Sequence, residues 1–194
     1  MSIQQTFSSI VYRDKLEVDN RAITDYCYHL QETSKGVYAS NEGGWQSELI
    51  NDEAELLHPL LVEITNRLNQ LHIELGFKDT LRQQIGECWI NINGPGDFNK
   101  PHVHPGAFFS GVYYVKAGEF AGALELMNPI TAHQYTIPVG VTENVNGYNS
   151  GVSWVQPEVG GLVIFSPWLQ HHVQPNRSNT DRISIAFNSY LTEK

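Results

Sequence analysis

The sequence predicts an α+β, mainly β protein: a double-stranded β-helix of the jelly-roll, cupin-like kind with N-terminal helices packed on one sheet. Composition changes near residue 80, from polar, charged and helix-like to a stretch rich in Gly, Val, Tyr, Phe and Asn. Seven short β-rich segments follow that change, separated by close-spaced turn signals. Two amphipathic segments precede it, each with a single apolar stripe that must lie against something else. Rolling the strands into two facing sheets limits exposed edges. The 194 residues are enough for one domain with a real core. The chain therefore divides into a helical support region, 1–80, and a jelly-roll region, 81–194, without a linker or internal repeat between them.

The first helix is expected after Asp19, an N-cap residue, with Ile23, Tyr26, Cys27 and Leu30 on one stripe and Gly36 ending the pattern. The second runs through Leu57, Leu60, Leu61, Ile64, Leu68, Leu71 and Leu75 to Gly76, with Pro59 confined to its first turn. A strand within Met1–Leu16 is expected from the β-rich run Thr6–Tyr12. The later strands are placed at Gln84–Asn93, Ala107–Lys116, Ala123–Met127, Ser153–Gln156, Gly161–Phe165, His171–Gln174 and Arg182–Tyr190. Turns between them carry Asn-Gly-Pro-Gly, Ala-Gly-Glu-Phe-Ala-Gly and Pro-Asn-Arg-Ser-Asn.

Charge and composition exclude several classes of function. Twelve basic residues against twenty-one acidic ones leave a net charge of −9, so a phosphate-tracking nucleic-acid binder or an anionic-membrane binder is not expected. No apolar run approaches the roughly 20 residues a membrane helix needs. The N-terminus lacks a basic stretch followed by an apolar core, so no secretory signal is expected. Cys27 and Cys88 form neither a CxxC nor a zinc-type spacing, and reduced thiols in a cytoplasmic protein are expected.

Eight histidines are unevenly placed. His29, His58 and His72 fall in the helical region and His133 in a polar stretch, and all four are read as surface or packed imidazoles. His102-Val103-His104 alternates on an extended segment flanked by Pro101 and Pro105, so both rings can aim at one point, as a metal requires. Farther on, Gly160–Phe165 is a turn feeding an apolar strand, and Ser-Pro-Trp-Leu-Gln leads to His171-His172-Val173-Gln174-Pro175. In Arg182–Asn188, Ile183, Ile185 and Phe187 form one face, and Arg182, Ser184 and Asn188 share the other with Ala186. An inward-facing Arg on such a strand needs an anion, and a carboxylate fits it bidentately. On an edge strand, Arg182 and Ser184 would instead be solvated.

An HxH pair, a distal His and an Arg-x-Ser about ten residues on resemble the Fe(II)/2-oxoglutarate-dependent dioxygenases, of the prolyl-hydroxylase-like kind. Ser110–Lys116, Gly122–Leu126, Pro157–Phe165 and His171–Pro175 resemble that family's strands in family order, over residues 85–190. The whole chain looks closest to a branch of 2-oxoglutarate-Fe(II) oxygenases without assigned substrates.

The resemblance implies Fe(II) and 2-oxoglutarate as cofactor and cosubstrate, and hydroxylation of a peptide or small molecule with release of succinate and CO2. It implies His102 and His171 as iron ligands. Arg182 and Ser184 would grip the far carboxylate of 2-oxoglutarate, and Tyr114 would reach the same group. Tyr113, of opposite parity, is expected to pack. Asn91 and Asn93 are assigned to cosubstrate or substrate. The family pattern has a carboxylate where this chain has His104, so the third ligand is His104, a water, or a carboxylate such as Asp97 or Glu125. His104 is preferred, because its spacing after His102 is what the fold offers. The loop Asn128–Ser150 is the candidate substrate loop. Two other readings stay open: a three-His cupin-type dioxygenase without 2-oxoglutarate, and a non-catalytic jelly-roll binding module. The sequence does not name the substrate and leaves homo-oligomerisation open.

Overall fold

A computed structural model describes residues 6, 8–50, 55–130, 136–138 and 140–194. Part of the expected N-terminal strand (residues 1–5 and 7) and His133 lie outside the described residues. The elements in chain order are β1 (Val11–Lys15), α1 (Asn20–Thr33), β2 (Asn41–Glu42), β3 (Trp45–Gln46), α2 (His58–Glu74), β4 (Leu81–Asn93), β5 (Phe98–His102), β6 (Phe109–Lys116), β7 (Leu124–Met127), β8 (Val152–Val155), β9 (Gly161–Phe165), β10 (His171–Val173) and β11 (Arg182–Glu193).

The strands form two antiparallel sheets. One is ordered β1-β9-β6-β11-β4-β3 and the other β2-β5-β10-β7-β8. Neighbours in the sheets are mostly far apart in sequence, which is the crossing-over of a jelly roll. Both helices cover the outer face of the six-stranded sheet. Ile23 and Cys27 of α1 and Leu60, Ile64, Leu68 and Leu71 of α2 share one buried cluster with Ile90, Ile92, Tyr113, Ile183, Ile185 and Phe187. A second cluster lies between the sheets, with Tyr114, Val163 and Phe165 from one and Leu124, Leu126 and Val155 from the other.

The helix signals act as local chemistry says they should. The Asp19 side chain accepts from the Arg21 and Ala22 amides and satisfies N–H groups that the first turn leaves open. Pro59 sits in the first turn of α2, and the helix stops before Gly76. His29 and His58 are exposed, as expected. His72 is buried, with Nε2 against the Lys78 carbonyl at 2.9 Å and Nδ1 against Gln83 at 3.2 Å. It is a satisfied core imidazole.

β11 is the centre of the six-stranded sheet, paired to β4 on one side and β6 on the other. An edge position with Arg182 and Ser184 solvated is thereby overturned: Arg182 is 1% exposed. Alternation along β11 sends Ile183, Ile185 and Phe187 under the helices and Arg182, Ser184 and Ala186 between the sheets. Tyr113 packs under the helices, as parity requires, and donates to Asn20 Oδ1 at 2.9 Å.

β6 lies so close to its neighbours that a Cβ on Gly111 would sit 2.3 Å from the Phe187 ring and 2.7 Å from the Val163 carbonyl oxygen. Gly111→Ala should therefore cost about 1–3 kcal/mol by overpacking, read as a lower urea midpoint. An unchanged midpoint would mean that β6 and β11 are less tightly apposed than described.

Candidate metal and cosubstrate site

β10 is only three residues long and carries the site. It lies between β5 and β7, and His171 pairs with His102 on one side and Leu126 on the other. The β5–β10 register slips between that pair and Val173–Asn99, an extra residue on β5 where Pro101 has no N–H to give. β5 ends at His102. His104 thus lies beyond the strand, and strand alternation is not what aims it. The His104 amide donates to the Pro167 carbonyl at 3.0 Å, and that contact folds the segment back over His171.

The donor nitrogens of His102, His104 and His171 all lie within 4.8 Å of one another, the one such group among the described residues. The rings of His102 and His171 are 4.3 Å apart, and those of His104 and His171 5.1 Å. His102 Nδ1 donates to the Lys100 carbonyl at 2.7 Å and His171 Nδ1 to the Leu169 carbonyl at 2.8 Å. Backbone oxygens thereby hold the protons on Nδ1 and leave each Nε2 a lone pair, the outer-shell arrangement of metal-ligating imidazoles. His171 Nε2 can then only accept, and His104 Nε2–H donates to it across 3.3 Å. With the His104 proton on Nδ1 instead, the same contact presents two lone pairs to one ion.

Burial and the neighbouring rings push these imidazoles below their ordinary range: His102 is lowered, His104 falls to about 4 and His171 to about 3. All three are neutral near pH 7, as ligation requires.

Neither carboxylate that the sequence leaves open joins them. Glu125 sits on the other face of β7, where it accepts from Trp154 Nε1 and Gln174 Nε2 at 2.9 Å and lies 3.7 Å from His172. His172 faces away from the cluster with it. Asp97 accepts from the Gly94 amide at 2.8 Å in the turn after β4.

Behind the imidazoles is a cavity of about 50 Å³, lined by Asn91, Tyr114, Arg182 and Ser184 together with the three histidines, Leu124 and Phe165. Arg182 Nη1 donates to the Ala121 carbonyl and, at 3.4 Å, to the carbonyls of Gly122 and Gln174. Gly122 has φ +86°, and a Cβ there would lie 2.8 Å from Arg182 Nη1, so only glycine lets the loop approach this closely. Arg182 Nη2 is buried without a partner. A buried charged donor left so costs more than the roughly 1–3 kcal/mol of a neutral one, and a carboxylate in the cavity would remove that penalty. Burial raises the Tyr114 hydroxyl to about 12, so it stays a donor. Asn91 Oδ1 also lacks a partner. Asn93 differs from expectation: its side chain lies by the Gly44 turn and does not line the cavity.

Some of the lining escaped the sequence reading. Trp89 stands 5.7 Å from the His104 ring, and Ser40, Asn99, Gln46 and Glu87 border the cavity or the cleft above it. Parity on β4 could have found Glu87 and Trp89, which share a face with Asn91. No described residue of Asn128–Ser150 lines either space.

A two-sheet roll with converging imidazoles at its mouth and a buried guanidinium behind is the layout of a metal-dependent oxygenase. The family model described as "Putative 2OG-Fe(II) oxygenase" matches residues 87–188, and the chain belongs to that family. Among solved structures it is similar to a prolyl-4-hydroxylase from Pseudomonas putida, at 16% identity over 92% of this chain and 91% of that one, with a TM-score of 0.61. It is also similar to a prolyl hydroxylase from Trichoplax adhaerens in complex with a hypoxia inducible factor peptide fragment, at 15% identity, 94% and 83% coverage and a TM-score of 0.60. A third is HygX from Streptomyces hygroscopicus, with nickel and 2-oxoglutarate bound, at 10% identity, 93% and 82% coverage and a TM-score of 0.59. At these identities the likeness shows the fold, a double-stranded β-helix. No curated protein sequence matches this chain.

An unfolded imidazole titrates near 6.5, and these three titrate lower when folded. Between the two values the unfolded chain binds more protons, so the stability of the metal-free protein should fall as pH drops from about 6.5 towards 4. Urea unfolding in chelator across that window measures it, and His171→Gln should flatten the slope. Stability that holds or rises on acidification would contradict the burial of these rings.

Proposed function

We propose that this chain is an oxygenase in which His102, His104 and His171 hold Fe(II) and Arg182 anchors the far carboxylate of 2-oxoglutarate. The observation that carries this reading is Arg182 Nη2: a fully buried cationic donor with no partner, at the back of a cavity whose front is three neutral imidazoles. Bound together, Fe(II) and 2-oxoglutarate supply oxygen activation coupled to oxidative decarboxylation, which yields succinate and CO2 and hydroxylates a C–H bond.

The chain's own residues supply position and dryness. The Lys100 and Leu169 carbonyls fix the tautomers of His102 and His171. Arg182, the protonated Tyr114 and Ser184 set where the dicarboxylate ends, and so where its other end meets the imidazoles. Leu124, Phe165 and Val173 close the walls to water. Asn91 Oδ1, an acceptor, suits a water or substrate donor better than a carboxylate.

The peptide bound by the Trichoplax neighbour supports a peptide or small-molecule substrate. The net charge of −9 argues against nucleic acid. Cys27 and Cys88 are both buried thiols, which fits a reducing, cytoplasmic setting. Among the described residues no helix is long and apolar enough to cross a membrane. A cupin-type dioxygenase without 2-oxoglutarate and a non-catalytic binding module both leave Arg182 without its anion.

Anaerobic protein given Fe(II) and then 2-oxoglutarate should develop a weak visible charge-transfer band. Arg182→Ala should still bind iron but lose 2-oxoglutarate affinity by about a hundredfold or more. An Arg182→Ala protein that binds 2-oxoglutarate as well as the parent overturns the assignment.

A further inference from the structure

Over the imidazoles opens a second space, a cleft of about 500 Å³ that His102 and His104 floor and Ser40, Gln46, Glu87 and Trp89 line. Its polar groups are biased towards acceptors. Glu87 sits on β4 two residues before Trp89 and four before Asn91, on the same face and nearer the mouth. Asn188 Nδ2 donates to Glu87 Oε2 at 2.6 Å, and Asn188 Oδ1 is itself occupied by Ser110 Oγ at 2.7 Å. That relay, together with the Tyr190 hydroxyl on the same carboxylate, holds Glu87 in place through uncharged partners.

Lys100, the cation on the rim, is engaged elsewhere, 2.6 Å from Glu42 and donating to the Tyr38 hydroxyl at 2.9 Å. Gln46 supplies an independent signal. It is 8% exposed, stands opposite Asn91 on β3, lines the same cleft, and its Oε1 has no partner. A buried amide oxygen without a donor is a cost that the right ligand removes.

A fixed carboxylate, an orphaned amide oxygen and an indole ring beside the metal-site histidines define a ligand by what it must bring: several N–H donors and positive charge. Ammonium has three donors and guanidinium five, and both sit well on an aromatic face. We infer that the cleft takes a substrate whose reacting carbon is tethered to an ammonium or guanidinium group, held by Glu87 and Gln46 beside Trp89. This rests on the reading of the three imidazoles as the iron site. It adds that charge selects the substrate, through residues that hold neither iron nor 2-oxoglutarate.

The test is calorimetric titration of the whole chain, both metal-free and loaded with Ni(II) and 2-oxoglutarate. The probes are the N-acetyl methylamides of lysine, arginine, norleucine and glutamate. The lysine and arginine probes should bind about tenfold or more tightly than the norleucine probe, with the glutamate probe weakest. Glu87→Gln should collapse that ratio towards one. Because the ratio is taken within one protein, a general loss of binding does not mimic it, and the parent's ranking stands as evidence if the variant misfolds. n-Pentylamine, run alongside, separates the sources: affinity equal to the lysine probe points to a small amine, weaker affinity to a peptide side chain, and either supports the inference. A parent that does not prefer the cationic probes, or a Glu87→Gln protein that keeps the preference, overturns it. Failure of the parent to bind Ni(II) would instead overturn the iron-site reading, and failure to bind 2-oxoglutarate the Arg182 assignment, so these failures are distinct from that of the inference.

Discussion

The three-residue strand β10 sits between β5 and β7, and its pairing with them fixes where the chemistry can happen. His171 and His104 are 67 residues apart, yet their Nε2 atoms meet at 3.3 Å. Three backbone contacts bring this about: the pairing of His171 with His102, the His104 amide on the Pro167 carbonyl, and the Leu169 carbonyl on His171 Nδ1. The turn before β10 thus positions two of the three rings. None of these contacts is strong alone, since a net intramolecular hydrogen bond contributes about 1 kcal/mol. They act together because the chain segments they join are held by the sheets on either side.

The opposite end of the cavity works through a charge kept dry. Arg182 lies on the central strand of the six-stranded sheet, and carbonyls from the loop around Gly122 take one of its nitrogens while the other stays bare. A fold that only needed stability would place an apolar side chain there, because a buried ion rarely recovers its desolvation cost. In the proposed reading a dicarboxylate offsets that cost, and the bare nitrogen is where it would bind. Without metal the imidazole end is neutral and the Arg182 end cationic; in the proposed reading Fe(II) would add its own positive charge at the imidazoles, so a dicarboxylate would meet a cation at each end.

Local signals in the sequence carried the helices and the parity of the site strands. Asp19 caps α1, Pro59 and Gly76 bracket α2, and the alternation of Ile183, Ile185 and Phe187 places Arg182 and Ser184 on the inner face. Long-range geometry was less legible. β5 contains Pro101 and few apolar residues, so it gives no strand signal, yet the jog at Pro101 and the contact of His104 with Pro167 decide where the HxH rings point. β2 and β3 have two residues each, too few for any period, and they bring Ser40 and Gln46 to the cleft. Asn93 had the right parity but lies at the end of β4, where the Gly44 turn covers it. β4 and β11 each run three residues past the expected segment, because pairing with each other overrides their polar ends.

The central claim is that three imidazoles and no carboxylate hold the iron. An anomalous-difference map at the iron edge, from crystals of the iron-loaded protein grown without oxygen, tests it most directly. The account predicts one peak bonded to Nε2 of His102, His104 and His171, with the Lys100 and Leu169 carbonyls still accepting from the opposite nitrogens. A peak bound to two of these rings and a carboxylate, or no peak between them, would contradict it.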